Sequence, residues 1–195
     1  MKVAALLLCA LLPLAGLAAD CLTFATNVAS LIEPAKLATL GKRGANQRVQ
    51  KSVAMLENAR RAGCNVVIVV SNAVAFAGYT NALLAELTRE VLTRNHGYAL
   101  RLGVLNPEGL AEMKRGNAAT IKRGTYEGQE LSVDHVIPFA VVPELDNVIA
   151  NLELMPEKRN QSKGNKIGER QRALAMDFWK IGLITQSRLD DVLRK

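Results

Sequence analysis

Five polar residues in the C-terminal half have types and spacing that could do chemistry: Asp134, His135, Asn151, Asn160 and Lys163, in the pattern D-H-x15-N-x8-N-x2-K. The chain has only two histidines, and one of them directly follows an aspartate. A neutral imidazole, with a pKa of about 6.5, suits proton abstraction from water near neutral pH. One carboxylate and one amide oxygen suit a single hard cation that keeps several waters, Mg2+ before others. Taken singly, each residue has an ordinary reading. An Asp-His pair can be a surface accident, Asn151 a turn residue, Asn160 a solvated helix position and Lys163 a solvent-facing charge. Their joint spacing is what carries information.

The chemistry sets a condition on the backbone. Successive strand residues face opposite sides, so a regular strand splays Asp134 from His135. Both serve one site only if the strand ends or bulges there. Pro138 follows closely and keeps Ile137 out of helical geometry, consistent with a turn into a loop. Pro143, Glu144, Asp146 and Asn147 extend that loop to Asn151.

The elements around these residues can be read from periodicity. Leu131 and Val133 alternate with Ser132 as in a half-buried strand, and residues 118–133, with Gly124 and Gly128, read as a hairpin or a bent pair of short strands. Leu152-Glu153-Leu154 forms a second short strand closed by Pro156, and a polar helix follows over Glu157 to Lys163. Upstream, Val49, Val53, Leu56 and Ala59 predict an amphipathic helix over 46–62. Residues 64–77 are so apolar that strand and helix remain open. A helix is expected over 81–94, ending near His96, which is assigned to the terminal turn with no catalytic role. Asn106 caps a further helix with Pro107 in its first position, stopping near Gly116. Residues 169–179 and 185–193 close the chain as helices. The expected fold is mainly α with a small α+β insert: a helical part over 20–116, the strand–loop–strand–helix insert over 117–168, and C-terminal helices over 169–195.

The insert resembles the HNH nucleases, a ββα-metal family, in its D-H-N-N variant, over roughly Thr120 to Lys166. The resemblance implies a ββα-metal motif that hydrolyses phosphodiester bonds of DNA, with RNA as an open alternative, and with little sequence preference. It implies His135 as general base, Asp134 and Asn160 as ligands of one divalent cation, and Asn151 as a brace that orients His135. The cation would be Mg2+, with Mn2+ as the alternative. Lys163 would stand nearest the scissile phosphate. Lys122, Arg123, Lys158, Arg159, Lys166 and Arg170 would contact the nucleic-acid backbone. Many family members hold a structural zinc with two CxxC pairs; this chain has no such pairs, and no structural zinc is expected.

Composition bounds the setting. The chain has 195 residues, 49% of them hydrophobic, and a formal charge of +7. That suits one domain with a core and an anionic partner. Residues 1–19 have a positive start, an apolar run and a small-residue end, the layout of a secretory signal cut after Ala18 or Ala19. The protein is then exported, to the periplasm or the medium, and free of the membrane once the signal is removed. Asp20 before Cys21 fits lipoprotein processing poorly. With the leader gone, Cys21 and Cys64 are left as an even pair; a disulfide is favoured over two separate thiols. The rival functional reading is a non-catalytic envelope protein that binds nucleic acid or another polyanion through its basic face.

Overall fold

The computed structural model describes residues 12–195, with side chains from Asp20 onward. The leader expected over 1–19 lies outside these residues, apart from backbone that opens the first helix. The architecture is mainly helical with one small antiparallel sheet. Helices α1 (Leu12–Ile32), α2 (Pro34–Leu37), α3 (Gly44–Arg61), α4 (Val66–Phe76), α5 (Ala82–Arg101) and α6 (Pro107–Arg115) precede the sheet. Strands β1 (Ala119–Thr120), β2 (Glu130–His135) and β3 (Leu152–Pro156) lie in that order, and α7 (Glu157–Lys163) follows β3 directly. Helices α8 (Glu169–Lys180) and α9 (Gln186–Leu193) end the chain.

The helical body forms where apolar stripes meet. Val49, Val53, Leu56 and Ala59 of α3 are all fully buried, as their spacing requires. Ala25, Val28, Ala29 and Ile32 give α1 a matching stripe. The apolar run at 64–77 becomes helix α4, because the Asn65 side chain caps it by accepting from the Val67 and Ile68 amides. Val69, Val70, Ala73 and Val74 face the core, whereas Val67, Ile68 and Phe76 stay exposed. Cys21 and Cys64 are joined by a disulfide that ties α1 to the start of α4. Such a bridge fits an oxidising, exported setting. Among the described residues, no helix is long and apolar enough to cross a membrane.

Helix α5 corrects the expectation for His96. The helix does not end there but continues to Arg101, and His96 is 5% exposed in its middle. Gly97 is compatible with a helix interior at a cost of about 1 kcal/mol. Burial of Asn95 and Ala99 on either side keeps the helix running. His96 Nε2 lies 3.1 Å from the buried Glu57 carboxylate, which also accepts from Arg60 and Arg61. Burial alone would raise the Glu57 pKa, but those three hydrogen-bond partners outweigh it and hold the carboxyl at about 2. Burial lowers the His96 pKa, against the pull of Glu57.

A second apolar core lies below the sheet's loop. Ile137, Val141, Val142, Leu145 and Ala150 pack with Ala175 and Phe178 of α8, Ile184, and Leu189 and Val192 of α9. The C-terminal helices therefore support the loop between β2 and β3, the segment that carries the polar side chains described next.

Candidate active site

Strand β2 pairs with β3 in regular antiparallel register, with Asp134 opposite Glu153 and His135 opposite Leu152. The strand ends at His135, so alternation sends the Asp134 and His135 side chains to opposite faces. Two separate polar arrangements result, one on each side of the strand end.

On the first face, β2 presents Ser132 and Asp134 to α7. Asn160 Nδ2 donates to Ser132 Oγ at 3.3 Å. One helical turn on, Lys163 Nζ donates to Asp134 Oδ2 at 2.6 Å and to the His135 carbonyl at 2.5 Å. Residues two apart on a strand thus meet residues three apart on a helix. None of the α7 residues is buried, so polar contacts fasten this helix where an apolar stripe would ordinarily do so. Burial raises the Asp134 pKa; Lys163 opposes that, and the negative charge of Glu153 across the strand adds to it.

On the second face, His135 is held in a recess, its side chain 6% exposed. Its Nε2 lies 3.0 Å from both the carbonyl and the Oδ1 of Asp146. Both partners are acceptors, so Nε2 carries the proton. In the neutral ring the lone pair then resides on Nδ1. Among the described residues Nδ1 has no hydrogen-bond partner, yet it is not one of the unpartnered atoms sealed from solvent. The Phe139 ring sits 6.2 Å from the imidazole, and Lys42 Nζ lies 4.7 Å from the Phe139 ring centre.

Asp146 does more than hold the imidazole. Its Oδ2 accepts the Arg43 backbone amide at 2.8 Å. Arg43 has φ 58°, the left-handed region, which is strained for a residue with a side chain. The neighbouring Asn147 accepts from the Ala45 amide and donates to the Leu40 and Gly41 carbonyls. The Asp146-Asn147 pair thereby clamps the turn before α3 against the loop. Asp146 was missed from sequence because it matches no position of the D-H-N-N spacing. Its only signal was an acidic residue, one of two with Glu144, in a largely apolar loop.

Asn151 is fully buried at the end of the 3₁₀ turn Ile149–Asn151 that leads directly into β3. Its Oδ1 accepts from the Ile137 amide at 2.8 Å, and its Nδ2 donates to the carbonyls of Ile137 at 3.1 Å and Leu145 at 3.4 Å. The side chain spans both ends of the loop that delivers Asp146 to His135.

The basic residues divide. Arg159 and Arg170 line one cleft with Glu153. Lys158 and Lys166 are exposed near α7, with Lys166 Nζ bonded to the Ser162 carbonyl. Lys122 and Arg123 lie in the turn beyond β1, which pairs with the opposite end of β2. Four residues of strand, about 13 Å, separate that pairing from His135. The structure therefore does not bring Lys122 and Arg123 to the site; Arg123 instead lies against Gly103.

Because β1 is only two residues long, the edge of β2 is open from Ser132 onward. A cleft of about 420 Å³ runs along it, lined by Arg43, Asn46, Gln50, Ser132, Asn160 and Gln161 among others. Asn46 Oδ1 and Gln50 Oε1 are buried there without a partner.

The donor set can be tested against a divalent cation. No group of three or more His, Cys, Asp or Glu side chains suited to a metal occurs among the described residues. What the site offers is the Asp134 carboxylate, with Glu153 opposite on the same face, and the Asn160 amide on α7. Those are hard oxygen donors, and two carboxylates facing one way gain from a cation between them. That chemistry fits Mg2+, which binds through one or two carboxylates and keeps waters. Lys163 supplies the positive charge against Asp134 in this structure.

Comparison of the chain with protein-family models, with curated proteins and with solved structures finds no match. Function must therefore be argued from the site.

Proposed function

We propose that the protein is an exported HNH-type endonuclease that hydrolyses nucleic-acid phosphodiester bonds, DNA foremost, with little sequence preference. The observation that carries this reading is the fixed proton on His135 Nε2, which leaves Nδ1 of the neutral ring as a base at the end of the strand where Lys163 bonds both Asp134 and the His135 carbonyl. The strand–loop–strand–helix order, with Asn151 bracing the loop, supports it.

A phosphodiester is anionic and repels hydroxide, so hydrolysis needs a base for water and positive charge for the phosphate and leaving oxygen. His135 Nδ1 takes the proton from water. Asp146 stabilises the imidazolium that forms, because its carboxylate and carbonyl already accept from Nε2. Lys163 places its ammonium by the strand end, where it meets a phosphate oxygen. Asp134 and Asn160 would hold the divalent cation, and when bound it supplies Lewis-acid stabilisation of the phosphate and the leaving oxygen. Asn151 positions the loop and touches no reacting atom.

Conversion of supercoiled plasmid by the mature protein, with Mg2+ and with EDTA, tests the proposal. Metal-dependent turnover is expected. Binding that survives chelation without any cleavage would instead favour the polyanion-binding reading.

A further inference from the structure

Several arginines of this chain are paired within their own neighbourhood. Arg60 and Arg61 bond Glu57, Arg89 bonds Glu86, Arg115 bonds Glu112, and Arg194 bonds Asp191. One cleft breaks the pattern. It is lined by the guanidinium side chains of Arg94, Arg101, Arg159 and Arg170, with Glu153 as the sole carboxylate among its lining residues. Glu153 is taken by Arg170 at 2.7 Å. Arg94 and Arg159 make no hydrogen bond or ion pair among the described residues, and Arg101 only stacks on the Tyr98 ring, 5.6 Å from its centre.

The sequence order explains how this cleft is built. Arg94, Tyr98 and Arg101 are four and three residues apart, one stripe of α5. Asn95 beside them fixes where that stripe lies. Its Nδ2 donates to the Leu152 carbonyl and its Oδ1 accepts from the Leu154 amide, so it pairs with the outer edge of β3 as a further strand would. Arg159 comes from α7 and Arg170 from α8. Three helices thus aim like charges at one space. Partial desolvation lowers the Arg94 pKa, and repulsion from Arg170 adds to it. Attraction to Glu153 and Glu90 opposes this but leaves the pKa lowered, and an anion between the guanidinium groups would offset the repulsion further.

We infer that this cleft binds a phosphate of the nucleic-acid backbone, extending the substrate track from the ββα insert onto helix α5. The inference rests on the reading of the protein as a nuclease. Glu153 is the cross-strand partner of Asp134, with Cα atoms about 5 Å apart, so the cleft lies within a nucleotide or two of the cutting site. Guanidinium groups suit this role because they contact phosphate oxygens in pairs and stay charged.

The test uses full mature protein carrying His135→Ala, with EDTA present, so that binding is read without cleavage. Fluorescence anisotropy with a labelled oligonucleotide is followed across a salt series. Each phosphate contact contributes a salt slope of roughly 0.9, which is about eightfold in affinity near 0.1 M salt. Arg94→Ala/Arg101→Ala should therefore weaken binding about 60-fold and flatten the slope by about 2. Arg94→Lys/Arg101→Lys should keep most of the slope. Lys180→Ala/Arg194→Ala, which removes equal charge elsewhere, should change the slope by less than half a unit. Both arginines are exposed, and unchanged circular dichroism and thermal midpoint establish that the variants are folded. The inference is overturned if the alanine pair binds with the parent's slope, or if the control pair weakens binding as much. It is also overturned if the pair alters retention on phosphatidylglycerol vesicles, or affinity for inorganic phosphate, but not for oligonucleotide. Should the parent bind and the alanine pair show the predicted slope change while the wild-type protein cuts nothing, this inference stands and the nuclease reading falls.

Discussion

Replacing Asn151 removes a fully buried side chain that ties both ends of the β2–β3 loop together. Alanine there leaves the Ile137 amide and the Ile137 carbonyl without a partner, whereas the Leu145 carbonyl keeps the Val148 amide. Ile137, Leu145 and Asn151 are all fully buried, so water does not replace the lost bonds. Each orphaned buried group costs about 1–3 kcal/mol. The 3.4 Å contact to Leu145 is long and contributes least. Counting the two Ile137 groups gives a loss of about 2–6 kcal/mol, a large part of the stability of an ordinary domain. Asn151→Asp makes a sharper test. It keeps an acceptor for the Ile137 amide but turns a negative oxygen toward two carbonyls. Its folded-state pKa is then raised, and the variant gains stability as pH falls through that value. Urea unfolding at pH 8 and pH 5 reads both effects. Asn151→Ala should lose about 3 kcal/mol at either pH. Asn151→Asp should be the worse of the two at pH 8 and recover at pH 5. An alanine variant within about 0.5 kcal/mol of wild type, or an aspartate variant indifferent to pH, would refute the bracing role.

Other perturbations probe neighbouring parts of the account. Asp146→Asn has one oxygen for two donors, the His135 ring and the Arg43 amide, so it should lose about 1.5–3 kcal/mol and cut kcat while sparing KM; equal kcat in steady-state assays would contradict this. Glu57 contributes stability above its unfolded pKa of about 4.5, which is lost as pH falls toward about 2. Glu57→Gln should therefore flatten the acid side of a stability–pH curve followed by circular dichroism, and an unaltered curve would show that the Arg60–Arg61–His96 cluster is not what acid disrupts. Reduction of the Cys21–Cys64 bridge, which closes a loop of 43 residues, should cost up to about 4 kcal/mol and lower the thermal midpoint in calorimetry.

What the sequence made legible follows from how local each signal was. Helix α7 begins and ends where Pro156 and the polar run 157–163 put it, and Asn106-Pro107 and Gly116 bound α6 as capping chemistry requires. The alternation at Leu131–Val133 and at Leu152–Leu154 located the two longer strands. Residues 64–77 were ambiguous because an apolar run has no period; the Asn65 cap decided for helix. His96 was misplaced because Gly97 looked like a stop, while its partner Glu57 lies 39 positions away and is invisible to any local rule. The same limit applied to the site. D-H-N-N spacing pointed to Asp134, His135, Asn151 and Asn160, but Asp146 acts through tertiary contacts alone. The arginine cleft was half legible: Arg159 and Arg170 sit next to the motif, whereas Arg94 and Arg101 reach it only because Asn95 docks α5 on the edge of β3.

The central claim is that the His135 imidazole takes a proton from water during phosphodiester hydrolysis. It is tested most directly by comparing the rate of plasmid cleavage by wild type and by His135→Ala under the same Mg2+ concentration, with both shown to be folded. A positioned general base contributes roughly 10²–10⁴-fold, so the variant should be slower by at least a hundredfold. A variant that cuts at the wild-type rate would contradict the account.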